Sequence, residues 1–70
     1  MFDYWNLKGR IREKWQTQEA FAKTMGMSLT ALNQRLNGVV DWKMTEVAKA
    51  CEHLDIQPSD AWIYFFKPKV

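Results

Sequence analysis

In 70 residues the chain has one cysteine, one histidine, two prolines and three glycines, and each scarcity excludes a class of function. Cys51 has no partner within the chain, and a small secreted domain normally needs several bridges, so a reducing cytoplasm is the expected setting. His53 stands alone, with no second histidine and no cysteine pair at metal-ligand spacing. There is no glycine-rich phosphate loop, and no carboxylate pair has a reason to share a site. The expectation is therefore no enzyme, no metal and no cofactor. Met25, Met27 and Met44 are read as packing residues, Cys51 as core and His53 as surface. No apolar run approaches the roughly 20 residues that cross a bilayer, and the first residues lack a basic segment followed by an apolar one, so neither membrane nor signal peptide is expected. Strand signals are nearly absent: only Val39-Val40 and Trp62 to Phe66 carry β-favouring residues, and neither run alternates cleanly.

What is present describes one small globular domain over residues 1–70. Composition is ordinary at 47% hydrophobic and 26% charged. A chain of this size buries only about 60% of its unfolded surface, so its stability margin is thin. The net charge of +2 is compatible with a nucleic-acid partner without requiring one. Lys8, Arg10, Arg12 and Lys14 crowd the first helical segment, whereas Glu46, Glu52, Asp55 and Asp60 lie in the C-terminal half.

Helical periodicity dominates and predicts five short helices in a compact all-α fold. The first spans about Tyr4 to Trp15, capped by Asp3, with Tyr4, Leu7, Ile11 and Trp15 as its apolar stripe. Gly9 weakens it by about 1 kcal/mol relative to alanine. The second spans Gln18 to Met25, with Thr17 as cap, Phe21, Ala22 and Met25 inward, and Gly26 as a left-handed stop. Ser28 caps the third, Leu29 to Leu36, with Ala31, Leu32 and Leu36 inward and Asn37-Gly38 as its turn. Asp41 is the expected cap of the fourth, Lys43 to Leu54, with Met44, Val47, Ala48, Cys51 and Leu54 inward. The fifth opens at Pro58 and ends near Tyr64 or Phe66.

Residues 17–38 carry the most information. A small Ala22 lets the third helix approach the second, Gly26 makes the turn, and Phe21 and Leu32 can pack the pair at a steep angle. The pattern Thr17-Gln18-x-x-Phe21-Ala22-x-x-x-Gly26, followed eleven residues later by Asn37-Gly38, resembles the Cro/repressor type of helix-turn-helix, the lambda-repressor-like or XRE family. The resemblance covers about residues 4 to 56, and the Trp62 to Val70 tail looks like that of short Cro-like phage regulators.

The resemblance implies a double-stranded DNA operator as partner and a repressor's place in a lysis–lysogeny switch. Gln18 would meet the DNA backbone. Ser28, Leu29, Thr30 and Gln34 would reach base edges, with Gln34 suited to adenine and Leu29 to a thymine methyl. Asn33 and Arg35 would flank that row, Arg35 nearer phosphate, and Asn37 and Lys43 would contact phosphates past the turn. Ser28 is a cap whatever else it does, and Asn37 is equally a turn residue. Leu29 stands where many relatives carry a polar reader.

Ten aromatics exceed what so small a core easily hides, and Trp62, Tyr64, Phe65 and Phe66 cluster in the last helix and tail. Residues 58–70 are therefore either a dimerisation tail, giving a homodimer at least on DNA, or a segment folded back over its own core. A dimer would set two reading helices about 34 Å apart, one DNA turn. The alternative function is a protein-binding modulator that grips a partner phage repressor, which the modest charge and Leu29 favour. A third, an antitoxin, would need a toxin-binding segment that is not evident.

Overall fold

In the computed structural model, which describes residues 2–69, five α-helices wrap one core: α1 (Trp5–Trp15), α2 (Gln18–Met25), α3 (Leu29–Leu36), α4 (Met44–Leu54) and α5 (Ala61–Phe65). A 3₁₀ turn over Pro58–Asp60 leads into α5. The described residues contain no strand beyond one isolated antiparallel bridge, Phe2 to Pro68. No helix among them is long and apolar enough to cross a membrane.

Local chemistry explains most boundaries. Asp3 Oδ1 accepts from the Trp5 amide at 2.9 Å and so closes the start of α1. Thr17 Oγ1 accepts from the Ala20 amide at 3.1 Å, and Ser28 Oγ from that of Ala31 at 3.0 Å. These are the side-chain caps that exposed first-turn donors require. Gly26 ends α2 with φ of 75°, the left-handed conformation its missing Cβ permits. Asp41 does not cap α4. The helix begins one residue later than the sequence suggests, with Lys43 at the cap position, and Glu46 Oε1 accepts the Lys43 amide at 3.0 Å.

Helix C-termini receive cations. Arg10 donates from Nε to the Leu54 carbonyl at 2.8 Å and from Nη2 to that of Asp55 at 3.0 Å. Trp15 Nε1 donates to the His53 carbonyl at 3.2 Å, and Lys14 pairs with Asp55 at 3.1 Å. Lys49 Nζ donates to the Met25 carbonyl at 3.2 Å. Half of the basic cluster on α1 is therefore structural. It neutralises the negative end of α4 and occupies carbonyls that the helix cannot satisfy itself.

The core joins Tyr4, Leu7 and Ile11 of the first segment to Phe21, Ala22, Met25, Leu32, Leu36, Val47, Cys51 and Leu54. Three expectations need correction. On α4 the buried stripe is Val47, Ala50, Cys51 and Leu54, whereas Met44 and Ala48 face solvent. The first turn of α4 projects beyond the core, so Met44 does not pack. Phe65 is 1% exposed, sits among the core residues and meets Trp42 edge-on at 5.1 Å. It is therefore not available as an interface residue. The Trp42 indole N–H is buried without an acceptor among the described residues, a cost of about 1–3 kcal/mol.

The tail folds back on its own domain. The Asp3 amide donates to the Lys67 carbonyl at 2.7 Å, and Phe66 meets Phe2 edge-on at 5.8 Å. Tyr64 is half-buried, while Trp62 and Phe66 keep exposed surface. Val70 lies outside the described residues.

Candidate recognition surface of the two-helix unit

Two eight-residue helices, α2 and α3, meet at a turn over Gly26–Ser28. The Met27 amide bonds back to the Ala22 carbonyl at 3.0 Å, which folds the chain sharply after α2. Buried Phe21, Ala22 and Leu32 fix α3 on the core and turn its opposite side outward. Positions 30, 34 and 37 fall on that outer side by helical phase and 33 at its margin, and 29, in phase with Leu32 and Leu36, joins them only because it opens the helix and keeps 40% of its surface exposed. They are Leu29, Thr30, Asn33, Gln34 and Asn37, a row without a charge.

The structure exposes Leu29, Thr30, Gln34, Asn37 and Lys43 and leaves Gln18 and Asn33 half-buried. Ser28 is exposed, but its hydroxyl is engaged as the α3 cap. The Gln34 carbonyl accepts the amides of Val39 and Val40 at 2.8 and 3.2 Å, which closes the turn after α3 and leaves the Gln34 side chain in solvent.

Arg35 departs from its expected place near phosphate. Its Nε and Nη2 each donate to Glu46 at 3.0 Å, one to each carboxylate oxygen, and Nη1 donates to the Ala31 carbonyl at 3.0 Å. The two side chains are only 14% and 18% exposed. A guanidinium held in this fork has little to offer an incoming anion. The Arg35 hydrogen bonds hold the Glu46 carboxyl below the ordinary carboxylate range, against the opposing effect of burial. The reason is visible in the fold: position 35 faces α4, where Glu46 also caps the helix start.

Two surface residues were missed. Val39 in the turn after α3 and Met44 at the start of α4 are 72% and 71% exposed. Like Leu29 they are exposed apolar side chains, and Lys43, which precedes Met44, is exposed as well. No local signal marked either residue: Met44 stands three residues before buried Val47, as a core position would, and nothing in the short Val39-Val40 run set Val39 apart.

No curated protein matches the chain. Among solved structures, it is similar to the solution structure of the modulator of repression (MOR) of the temperate bacteriophage TP901-1 from Lactococcus lactis. Identity is 43%, the TM-score is 0.83, and the match covers 99% of this chain and 93% of that one. Likeness at that level extends past the fold to the sequence and supports a role in phage regulation. Over residues 1–68 the chain matches the family described as "Protein of unknown function (DUF739)", and it belongs to that family.

Proposed function

We propose that this protein modulates a phage repressor by binding it, with the outer face of α3 as the principal contact. The observation that carries the proposal is the 43% identity, over nearly the whole chain, to a phage modulator of repression. The surface supports it. The row on α3 is uncharged, Leu29 within it is exposed, Val39 after α3 and Met44 at the start of α4 are exposed too, and Arg35 is withdrawn into its pair with Glu46. Apolar side chains of this kind gain by burial against another protein, at about 25 cal/mol per Å² of the surface they still expose. The mechanism is occupancy in the cytoplasm of the bacterial host, without catalysis: the partner, once gripped, is held away from its own ligand.

A second reading keeps the Cro-like helix-turn-helix and lets the protein bind an operator itself. The arrangement of α2, the Gly26 turn and α3 favours it, with Gln18, Thr30, Gln34 and Lys43 all at or near the surface. In that reading two copies pair on DNA through Trp62 and Phe66.

Calorimetric titration of the wild type and Leu29→Glu into the neighbouring repressor, and into duplex operator, separates the two. The repressor is expected to bind the wild type, and Leu29→Glu should lose about 30-fold in affinity, equivalent to about 2 kcal/mol. Repressor affinity unchanged in the variant, or binding of the duplex alone, would overturn the proposal.

A further inference from the structure

A groove of about 470 Å³ runs along the solvent side of α1, lined by Trp5, Lys8, Gly9, Arg12, Gln16 and Gln18. Three features distinguish it. Trp5 is 77% exposed, an indole that the fold does not use. Lys8 and Arg12 form no ion pair among the described residues, whereas Arg10, Lys14 and Arg35 are all paired, and no acid lines the groove.

The third feature is Gly9. It sits inside α1 without a positive φ, and a Cβ built there would meet nothing within 4 Å. Neither backbone conformation nor internal packing requires a glycine, yet glycine costs about 1 kcal/mol relative to alanine at such a position. Its missing side chain leaves the floor of the groove open between the indole and the two cations.

We propose that this groove is a second docking surface, which seats an acidic segment of the partner protein with a large apolar side chain laid against Trp5 over Gly9. The proposal rests on the protein-partner reading given above. Charge complementarity selects the occupant. Two unpaired cations match carboxylates, two glutamine amides match a peptide backbone, and a central tryptophan is the commonest kind of binding anchor. The adjoining recess shares Trp5 and Lys8 and adds apolar Phe2 and Leu36, so the anchor has room to extend. Its one acid, Asp3, is engaged by the Trp5 amide. A single-stranded nucleic acid is the weaker fit, since such chains are tracked by successive aromatic platforms and this groove has one.

The test compares the wild type with Gly9→Leu and with the double reversal Lys8→Glu/Arg12→Glu, using the neighbouring repressor as probe. Lys23→Glu, an exposed charge on α2, is the control, and thermal unfolding is measured on every variant. Gly9→Leu should unfold at or above the wild-type temperature while binding about tenfold more weakly, a combination that damage to the fold cannot produce. The double reversal should weaken binding by about tenfold or more at low salt and flatten its salt dependence, with Lys23→Glu within about twofold of wild type. Equal or tighter binding by Gly9→Leu overturns the proposal, as does a double reversal no different from Lys23→Glu. So does an effect of these changes confined to binding of an oligothymidylate. If Leu29→Glu loses the repressor while both α1 variants keep it, only the groove proposal falls. If the wild type binds no repressor, the protein-partner reading itself falls.

Discussion

Glu46→Gln breaks the side-chain ion pair that ties α3 to α4. Its two oxygens accept from Arg35 Nε and Nη2 at 3.0 Å, and Oε1 also takes the Lys43 amide at 3.0 Å. Glutamine keeps one acceptor and sets an amide group against the guanidinium. Loss of a charge-assisted hydrogen bond costs about 1.5–3 kcal/mol. The pair keeps some contact with water, at 14% and 18% exposure, which screens part of that energy but leaves Arg35 a largely unpaired, mostly buried cation. The expected net loss is about 2 kcal/mol, from a total of about 4–10 kcal/mol for a domain of this size. That corresponds to a fall in Tm of about 8–16 °C. The pH dependence follows from the lowered carboxyl of Glu46. Such a group stabilises the fold fully above its unfolded pKa of about 4.3, and the contribution disappears as pH falls through the folded value. Thermal unfolding followed by circular dichroism should therefore show the full gap between wild type and variant at pH 7 and a much smaller one at pH 3. Equal melting temperatures at pH 7, or a gap undiminished at pH 3, would refute the assigned role of the pair.

Phe65→Ala should cost about 3–5 kcal/mol by urea titration, enough to leave much of the chain unfolded at 37 °C, and a loss below about 1 kcal/mol would remove Phe65 from the core. Gly26→Ala should cost about 1 kcal/mol through the left-handed φ of 75° rather than through a clash, since the nearest atom to the added Cβ is the mobile end of Lys49 at 3.9 Å. A stabilised Gly26→Ala would contradict the assigned turn. Burial pushes the Cys51 thiol up, so a neutral-pH thiol reagent should label it only as fast as the protein opens, and rapid labelling under native conditions would contradict its place in the core.

Much of this fold is legible in the residues because local chemistry agrees with the tertiary packing. Thr17, Gly26 and Ser28 set the limits of α2 and α3 through bonds that hardly depend on the rest of the chain. The stripe of Tyr4, Leu7 and Ile11 is buried as its spacing requires, with Trp15 packed at its margin. Errors gather where long-range partners decide. Asp41 and Glu46 are both plausible caps for α4, and the choice depends on Arg35 arriving from α3 to share Glu46. The inward assignment of Ala48 is a phase error: Val47, Ala50, Cys51 and Leu54 are the i, i+3, i+4, i+7 stripe, and they are the residues buried. The aromatic tail could not be resolved by composition, because a return of residues 66–68 onto Phe2 and Asp3 has no local signature. The candidate surface was legible as a face of α3 but not as a chemistry. Periodicity placed Thr30 and Gln34 outward and the family resemblance added Leu29, while the neutralisation of Arg35 and the exposure of Met44 appear only in three dimensions.

On the proposed reading, the outer face of α3 holds a protein. Titrating the isotope-labelled chain with the unlabelled neighbouring repressor, and following backbone amides by NMR, tests it most directly. Large shifts are expected at Leu29, Thr30, Gln34, Val39 and Met44, saturating near one equivalent of repressor. Silence at these amides with repressor, together with saturable shifts on addition of duplex operator, would contradict it.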